Sequence, residues 1–338
     1  MLKKNNPALK ASILIISLWT VCLLSIFCVY LGYNVRQKIT LVKRLEERNK
    51  LYYIADAGVK KAIVCLLGVD PEIEYMALNG DWADNPGLFQ DIDFNGGSFS
   101  VGYNYSSGGA TQTRYGLVDE ERKVNINTAD AGVLRRLFQL VLNFSEGEAS
   151  GLAYSIIDWR DSDNQLSDSA RGAESAYYHS LKYPYSCKNS EFEILEEVLL
   201  IKGMSEDISN KIKDYITIYG DGRVNINTAS LEVLLALGLS PKICADIIEF
   251  RKGKDAAEGT TDDNFFSQNS DIATRLQTRY NLNQIEMAEV ESVASNYLSC
   301  NSFFFMIRSV ARLTDKKNQL EVICVVNRLG DILYWRET

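Results

Sequence analysis

The hexapeptide VNINTA occupies residues 124–129 and, unchanged, residues 224–229. Apolar and polar residues alternate at the start of each copy, and this pattern predicts a short β-strand. In the first copy Asn127 or Thr128 is placed to cap a following helix, and Asp130 favours a helix N-terminus. Each copy therefore predicts a short strand that leads directly into a pair of helices.

Helix pairs are expected after both copies. SLEVLLALGLSPKICADIIEFRKG (230–253) has apolar residues at helical spacing on either side of a turn. LEEVLLIKGMSEDISNKIKDYI (195–216) repeats the arrangement, and residues 130–159 form a looser version. Helix-hairpin-helix units often bind duplex phosphates at a GxG turn. Here Ser205 and Ser240 replace the second glycine, and Glu206 and Asp207 follow the earlier turn, so a structural role is favoured over DNA binding.

The composition indicates a folded protein. Hydrophobic residues make up 46% of the 338-residue chain and charged residues 24%, which is typical of globular proteins with two or three folding units. The net charge of −8 provides no general attraction for nucleic acid. The seven cysteines form no CxxC and no metal-ligand spacing, and one disulfide among Cys187, Cys244, Cys300 and Cys324 is left open.

The N-terminal region predicts a membrane helix. Residues 11–33, ASILIISLWTVCLLSIFCVYLGY, carry no formal charge, and at about 1.5 Å per residue they span a hydrocarbon core of roughly 30 Å. Leu51, Ala55 and Val59 then recur at helical spacing. We expect one helix from about Ser12 to Leu67, with its first half in lipid and its second half packed on a soluble domain. Basic residues flank both ends of the span, and their count alone would place the N-terminus outside.

Strand patterns precede and follow the helical block. Residues 97–107 and 111–120 predict a hairpin around Gly108 and Gly109, and residues 303–313, 320–326 and 332–337 predict three further strands. The expected fold is therefore α+β. A long N-terminal helix packs on an antiparallel sheet, and a large helical insertion with helix-hairpin-helix-like units interrupts that sheet domain.

The densest acidic stretch is DWRDSDNQLSDSARGAESAYY, residues 158–178. It is not an EF-hand, because Leu166 and Gly172 stand where that loop requires Gly and Glu. A differently wound loop can still bind calcium, since carboxylate oxygens suit this ion; a solvated acidic loop is the alternative. The candidate ligands are Asp161, Asp163, Asp168 and Glu174.

Enzyme activity is not expected. The chain has a single histidine, His179, and lacks P-loop, GxSxG and GxGxxG motifs. A catalytic role for this one imidazole is less favoured than a surface or packing role.

From Lys10 to Glu337 the chain resembles type II secretion minor pseudopilins of the general secretion pathway protein K (GspK) family. The resemblance lies in several motifs in the same order: ILIISLW, YYIADAGVKKA, VDEERKVNINTA, the acidic stretch, the second VNINTA and ILYWRE. It implies a prepilin leader at 1–11, a transmembrane helix at 12–33, a pilin-type domain at 34–123 and 297–338, and a helical insertion at 124–296.

The resemblance also implies processing and location. Prepilin peptidase would cut between Ala11 and Ser12, although Ala11 replaces the usual glycine. The N-terminus would then be cytoplasmic and the bulk periplasmic, on a single-pass protein of the bacterial inner membrane. Ile16 would be the fifth residue after the cut. Most pilins have Glu at this position, and the lack of that Glu is typical of the K-type subunit.

The implied role is mechanical. The subunit would cap the pseudopilus tip and help to start its assembly, with calcium bound in the insertion. Ile16 and the rest of the long helix would make the assembly contacts, while Leu51, Ala55 and Val59 face the chain's own sheet. The implied partners are the other minor pseudopilins (I, J and H types), the major pseudopilin, the assembly platform, prepilin peptidase and secreted proteins. Two alternatives are a membrane-tethered DNA-binding protein of the competence type and a minor subunit of a type IV pilus.

Overall fold

A computed structural model describes residues 7–70, 73–107, 110–314 and 318–338. Of residues 7–12, 106–107 and 110–111 only the backbone is described. Residues 1–6 of the expected leader and the Gly108–Gly109 turn therefore lie outside the described residues, as do the side chains of Ala11 and Ser12.

The fold combines helices with an antiparallel sheet, as the sequence predicts. The described α-helices are α1 (Pro7–Leu67), α2 (Pro86–Phe89), α3 (Ala131–Leu142), α4 (Glu146–Arg160), α5 (Ser175–His179), α6 (Glu206–Ile212), α7 (Leu231–Ala236), α8 (Pro241–Arg251), α9 (Ile272–Tyr280) and α10 (Gln284–Tyr297). The described strands are β1 (Ile92–Phe94), β2 (Gly97–Val101), β3 (Tyr103–Ser107), β4 (Ala110–Arg114), β5 (Val118–Asp119), β6 (Val124–Asn125), β7 (Ile216–Thr217), β8 (Val224–Asn225), β9 (Leu298–Ser299), β10 (Phe304–Leu313), β11 (Gln319–Asn327) and β12 (Ile332–Glu337).

The N-terminal helix is continuous, and this prediction is confirmed. Its described part runs from Pro7 to Leu67. Among the described helices it alone is long and apolar enough to cross a membrane. Its apolar side chains from Ile13 to Leu45 are exposed, whereas Leu51, Ile54 and Leu66 are buried against the sheet.

The main sheet has the order β1-β2-β10-β11-β12, and β5 also pairs with β10. All of these pairs are antiparallel, so the three expected C-terminal strands are confirmed. The expected hairpin is also confirmed: β3 and β4 pair antiparallel, with Tyr103 opposite Arg114. This hairpin forms a separate two-stranded ribbon, while β2 joins the main sheet.

The helical part has its own hydrophobic core. One cluster of buried apolar residues extends from Val124 to Cys300, and a second combines α1 and the sheet. Each VNINTA copy supplies a two-residue strand with a parallel partner: β6 pairs with β7, and β8 pairs with β9. These short ladders connect each copy to a distant part of the chain.

Two local expectations need correction. Asp130, rather than Asn127 or Thr128, caps α3, and its carboxylate accepts a hydrogen bond from the Val133 amide at 2.9 Å. The segment Leu195–Leu200, expected to be the first helix of a pair, is a 3₁₀ helix. Helix pairs do form as α3–α4 and α7–α8, but their helix-hairpin-helix character stays a prediction.

Candidate functional site

The two VNINTA copies make matching hydrogen bonds. The side-chain amide of Asn127 donates to the Phe192 carbonyl at 3.1 Å and accepts from the Phe192 amide at 2.8 Å. Asn227 makes the same pair of bonds to Phe266, at 2.9 and 2.7 Å. Each copy therefore holds a returning loop that lies 39 or more residues away in sequence.

An arginine completes each copy. Arg160, at the end of α4, donates to the carbonyls of Ile126 and Ala129. Arg251, at the end of α8, donates to the corresponding carbonyls of Ile226 and Ala229, at 2.9 and 2.7 Å. Sequence reasoning missed both arginines. The available signal was an aromatic residue followed by Arg at the end of the second helix, Trp159–Arg160 and Phe250–Arg251.

The second copy also builds the junction between the helical part and the sheet. The Asp119 carboxylate is buried and accepts from Asn225 Nδ2 at 3.1 Å, Thr228 Oγ1 at 2.6 Å and Ser302 Oγ at 2.6 Å. Next to it, Glu121 accepts from the backbone amides of Phe303 and Phe304. Burial, with Asp119 nearby, raises the pKa of Glu121 to about 7. The chain leaves the sheet at Asp119 and returns at Ser302, so one polar network ties both crossings together.

The acidic stretch folds into a candidate metal site. Carboxylate oxygens of Asp158, Asp161 and Glu174 lie within 4.8 Å of one another. Of the four ligands expected from sequence, Asp161 and Glu174 belong to this group. Asp163 accepts from the Gln165 amide, and Asp168 pairs with Arg171 at 3.4 Å, so these two carboxylates are engaged elsewhere in the loop.

Asp158, the third member, was not among the expected ligands. It lies near the C-terminal end of α4 and is fully buried. Its two carboxylate oxygens accept hydrogen bonds from the amides of Ser167 and Ala173, both at 2.9 Å. Gly172 makes this possible: it has φ +89, and a Cβ there would lie 2.0 Å from Asp158 Oδ2. The loop is thus wound around Asp158.

The donor set matches a hard divalent cation. Both carboxylate oxygens of Glu174 and Oδ1 of Asp161 are buried and have no hydrogen-bond partner among the described residues. Burial, and to a lesser extent the negative charges of Asp161 and Asp158, raise the pKa of Glu174 to about 7. Three carboxylates with unused lone pairs form the kind of oxygen cluster that calcium prefers, and a bound cation would remove their mutual repulsion.

A second carboxylate group differs from the first. Asp255, Asp262 and Asp263 also lie within 4.8 Å of one another. Here, however, Asp262 accepts from the amides of Lys254 and Asp255, and Asp263 accepts from the Gly259 amide. Hydrogen bonds within the loop already use these lone pairs.

The remaining predicted residues lie on α1. Leu51, Ala55 and Val59 are buried in the core shared with the sheet, and Ile16 is exposed on the apolar half of the helix. All seven cysteines are free thiols in the described structure, so the bridge that the sequence left open does not form there. Burial raises the pKa of the Cys187, Cys244, Cys300 and Cys324 thiols to about 12.

Comparisons with known proteins agree on one family. The model of the first domain of type II secretion system protein K matches residues 114–221. Type II secretion system protein K of Aeromonas hydrophila is 34% identical over 103 residues, 29% of this chain and 31% of that protein. Protein K of Pseudomonas aeruginosa is 26% identical over 173 residues, 49% of this chain and 51% of that protein. The aligned segments thus span about a third and about half of these relatives.

The whole fold also has a solved counterpart. A chain in the crystal structure of the GspK-GspI-GspJ complex from enterotoxigenic Escherichia coli matches with a TM-score of 0.65 and 15% identity. The match covers 88% of this chain and 99% of that one, so it includes both the sheet and the helical part. The chain is therefore similar in sequence to type II secretion system protein K, and it shares the fold of a chain in the GspK-GspI-GspJ complex.

Proposed function

We propose that the chain caps the tip of a pseudopilus and helps to initiate its assembly for the export of folded proteins across the outer membrane. The observation that carries this proposal is the fold match over 99% of a chain from the GspK-GspI-GspJ complex. The helical part, with its own core, adds a bulky domain to the pilin-like sheet domain. Such a domain would obstruct a further subunit from stacking above it.

The partners we propose are the I-, J- and H-type minor pseudopilins, the major pseudopilin, the assembly platform and the secreted proteins. Neighbouring subunits would contact the side of α1 that faces away from the sheet. Tyr53 and Val64 are exposed there, whereas the same helix buries Leu51 and Val59 on its opposite side. Apolar side chains on an open helix face provide the packing surface that such an assembly needs.

We also propose a single-pass location in the bacterial inner membrane, with a cytoplasmic N-terminus and a periplasmic domain. Prepilin peptidase would process the Ala11–Ser12 bond. No nucleic-acid partner is proposed, because Glu206 and Asp207 form the first turn of α6, where they oppose phosphate binding.

The tip position can be tested at Ile16. A carboxylate within the membrane is costly unless a neighbouring subunit neutralises it, and a tip subunit has no neighbour above it. We expect Ile16→Glu to reduce secretion at least about tenfold and Ile16→Leu to leave it unchanged, measured as exported protein after complementation of a strain lacking this gene. Normal secretion with Ile16→Glu would contradict the tip position.

We propose that calcium is held by Asp158, Asp161 and Glu174. The ion would neutralise these carboxylates and fix the loop of residues 161–174 to the end of α4, with no part in any covalent reaction. Its effect on folding is mass action: an ion present at about 100 times its Kd stabilises by about 2.7 kcal/mol.

Thermal unfolding with and without calcium tests this site. We expect calcium to raise the Tm by roughly 3–8 °C. Glu174→Gln should abolish that rise and increase the calcium-free Tm, because it removes one of three mutually repelling charges. Asp214→Asn, at an exposed carboxylate outside the loop, is the matched control and should preserve the rise. An equal calcium response in wild type and Glu174→Gln would refute the site.

A further inference from the structure

The part of α1 that follows the apolar span carries concentrated positive charge. Arg36, Lys38, Lys43 and Arg44 lie within 11 residues of Tyr33, and all four side chains are exposed. The sequence contains no acidic residue before Glu46. Among the described residues, the first basic side chain of α1 with an ion-pair partner is Arg48, which lies 3.7 Å from Glu337. The four earlier basic side chains make no ion pair among the described residues, so they are available to bind an external partner.

Helix geometry places these charges near the membrane surface. If the hydrocarbon region ends at Tyr33, a rise of about 1.5 Å per residue puts Arg36 and Lys38 about 5 and 8 Å beyond it. That is the headgroup layer, which is roughly 5–8 Å deep on each side of a bilayer. Lys43 and Arg44 follow at about 15 and 17 Å.

The direction of the side chains brings the second pair closer. In an α-helix the Cα–Cβ bonds tilt toward the N-terminus, which here is the membrane side. The long stems of Lys43 and Arg44 therefore extend back toward the headgroups. Their charges lie within about one screening length, ~8 Å at physiological salt, of the headgroup layer.

We propose that Arg36, Lys38, Lys43 and Arg44 form a basic collar that binds the headgroups of anionic phospholipids around α1. Phosphate esters suit this collar because arginine donates to them in a bidentate manner and lysine supplies a compact positive charge. The collar would fix the depth of α1 before the subunit joins an assembly. Lipid binding would also explain why basic residues follow the membrane span, apart from any effect on the orientation of the protein in the membrane. The proposal rests on the membrane insertion of α1 proposed above.

Fluorescence quenching of the full-length chain in lipid bilayers tests the collar. A reporter variant carries Trp19→Phe and Phe27→Trp, which places a tryptophan about 9 Å inside Tyr33, in the leaflet next to the collar. The other tryptophans, Trp82, Trp159 and Trp335, lie in the folded domains and give a constant background. Phosphatidylglycerol and phosphatidylcholine with brominated acyl chains are compared, each at the same fraction in unlabelled phosphatidylcholine.

We expect brominated phosphatidylglycerol to associate at least about threefold more strongly than brominated phosphatidylcholine, since each basic residue near an anionic surface adds a favourable attraction. The preference should approach one in 1 M salt, where the screening length falls to about 3 Å. It should also approach one when Arg36, Lys38, Lys43 and Arg44 are all changed to Gln.

The matched control removes four exposed lysines of the helical part, by Lys182→Gln, Lys211→Gln, Lys213→Gln and Lys254→Gln, and should keep the preference. Equal quenching by the two lipids would overturn the collar while leaving insertion intact, and would point to an acidic protein surface instead. A preference that survives in the four-Gln collar variant would also overturn it. Absence of quenching by either lipid would overturn insertion and the collar together.

Discussion

At the scale of single residues, the same asparagine makes different hydrogen bonds in the two VNINTA copies. Asn125 Nδ2 donates to the backbone carbonyls of Tyr219 and Gly220, at 3.1 and 2.9 Å. Asn225 Nδ2 instead donates to the Met76 carbonyl, the Asp119 carboxylate and the Ser302 hydroxyl. The first copy therefore organises the helical part internally, whereas the second connects it to the sheet.

This difference predicts unequal costs for the same substitution. Asn225→Ala leaves a buried carboxylate and a buried carbonyl short of a donor, so we expect a loss of about 3 kcal/mol of unfolding free energy. Asn125→Ala leaves two backbone carbonyls without this side-chain donor and should cost about 1.5 kcal/mol. Both variants also lose the bond that the side-chain oxygen accepts from the amide two residues on, at Asn127 or Asn227. Urea unfolding of the two variants makes the comparison internally controlled. Equal costs, or a larger cost at Asn125, would show that the junction network is not the stronger one.

The candidate metal site shows which single residues can be identified from the sequence alone. Asp161 and Glu174 were identifiable because they stand in a dense acidic stretch. Asp158 was not identified as a candidate ligand, because the sequence around it has the pattern of a helix, and it lies in α4. Its role depends on Gly172 and Ala173 returning to it from 14 and 15 residues away, and spacing along the chain does not predict that return.

At the scale of elements, prediction succeeded where the pattern is long and repetitive. An uncharged run of 23 residues followed by helical spacing is enough to predict α1, and strand alternation is enough to predict β10 to β12. It failed where elements are short. Leu195–Leu200 has a helical pattern but forms a 3₁₀ helix, and tertiary contacts decide between these two conformations over so few residues.

The different surroundings of two helix glycines, one in α1 and one in α4, predict opposite effects of adding a methyl group. A Cβ at Gly58 would lie 2.3 Å from Ser309 Oγ and 2.9 Å from the Phe99 ring, so we expect Gly58→Ala to destabilise by about 1–3 kcal/mol. Gly151 in α4 has open space around it, and Gly151→Ala should stabilise by about 0.5–1 kcal/mol. Thermal unfolding of both variants tests the packing. Stabilisation by Gly58→Ala would mean that α1 lies farther from the sheet.

At the scale of the whole molecule, several contacts among the described residues fasten the helical part to the sheet domain. Besides the Asp119 network, the Tyr105 hydroxyl of the β3–β4 ribbon donates to Glu258. On the far edge of the sheet, Tyr334 and Arg336 of β12 both donate to Glu196, at 2.9 and 2.8 Å. These contacts join residues more than 130 positions apart, so no local pattern predicts them. Together they fasten the helical part to the sheet as the proposed capping role requires.

The proposed assembly of this chain with minor pseudopilins can be tested directly. Residues 34–338 would be mixed with the soluble domains of the I- and J-type subunits of the same organism, and light scattering would measure the mass of the eluted species. We predict one species with the summed mass of one copy of each, and no mass change with an unrelated periplasmic protein. Subunits that each keep their own mass at high concentration would contradict the account.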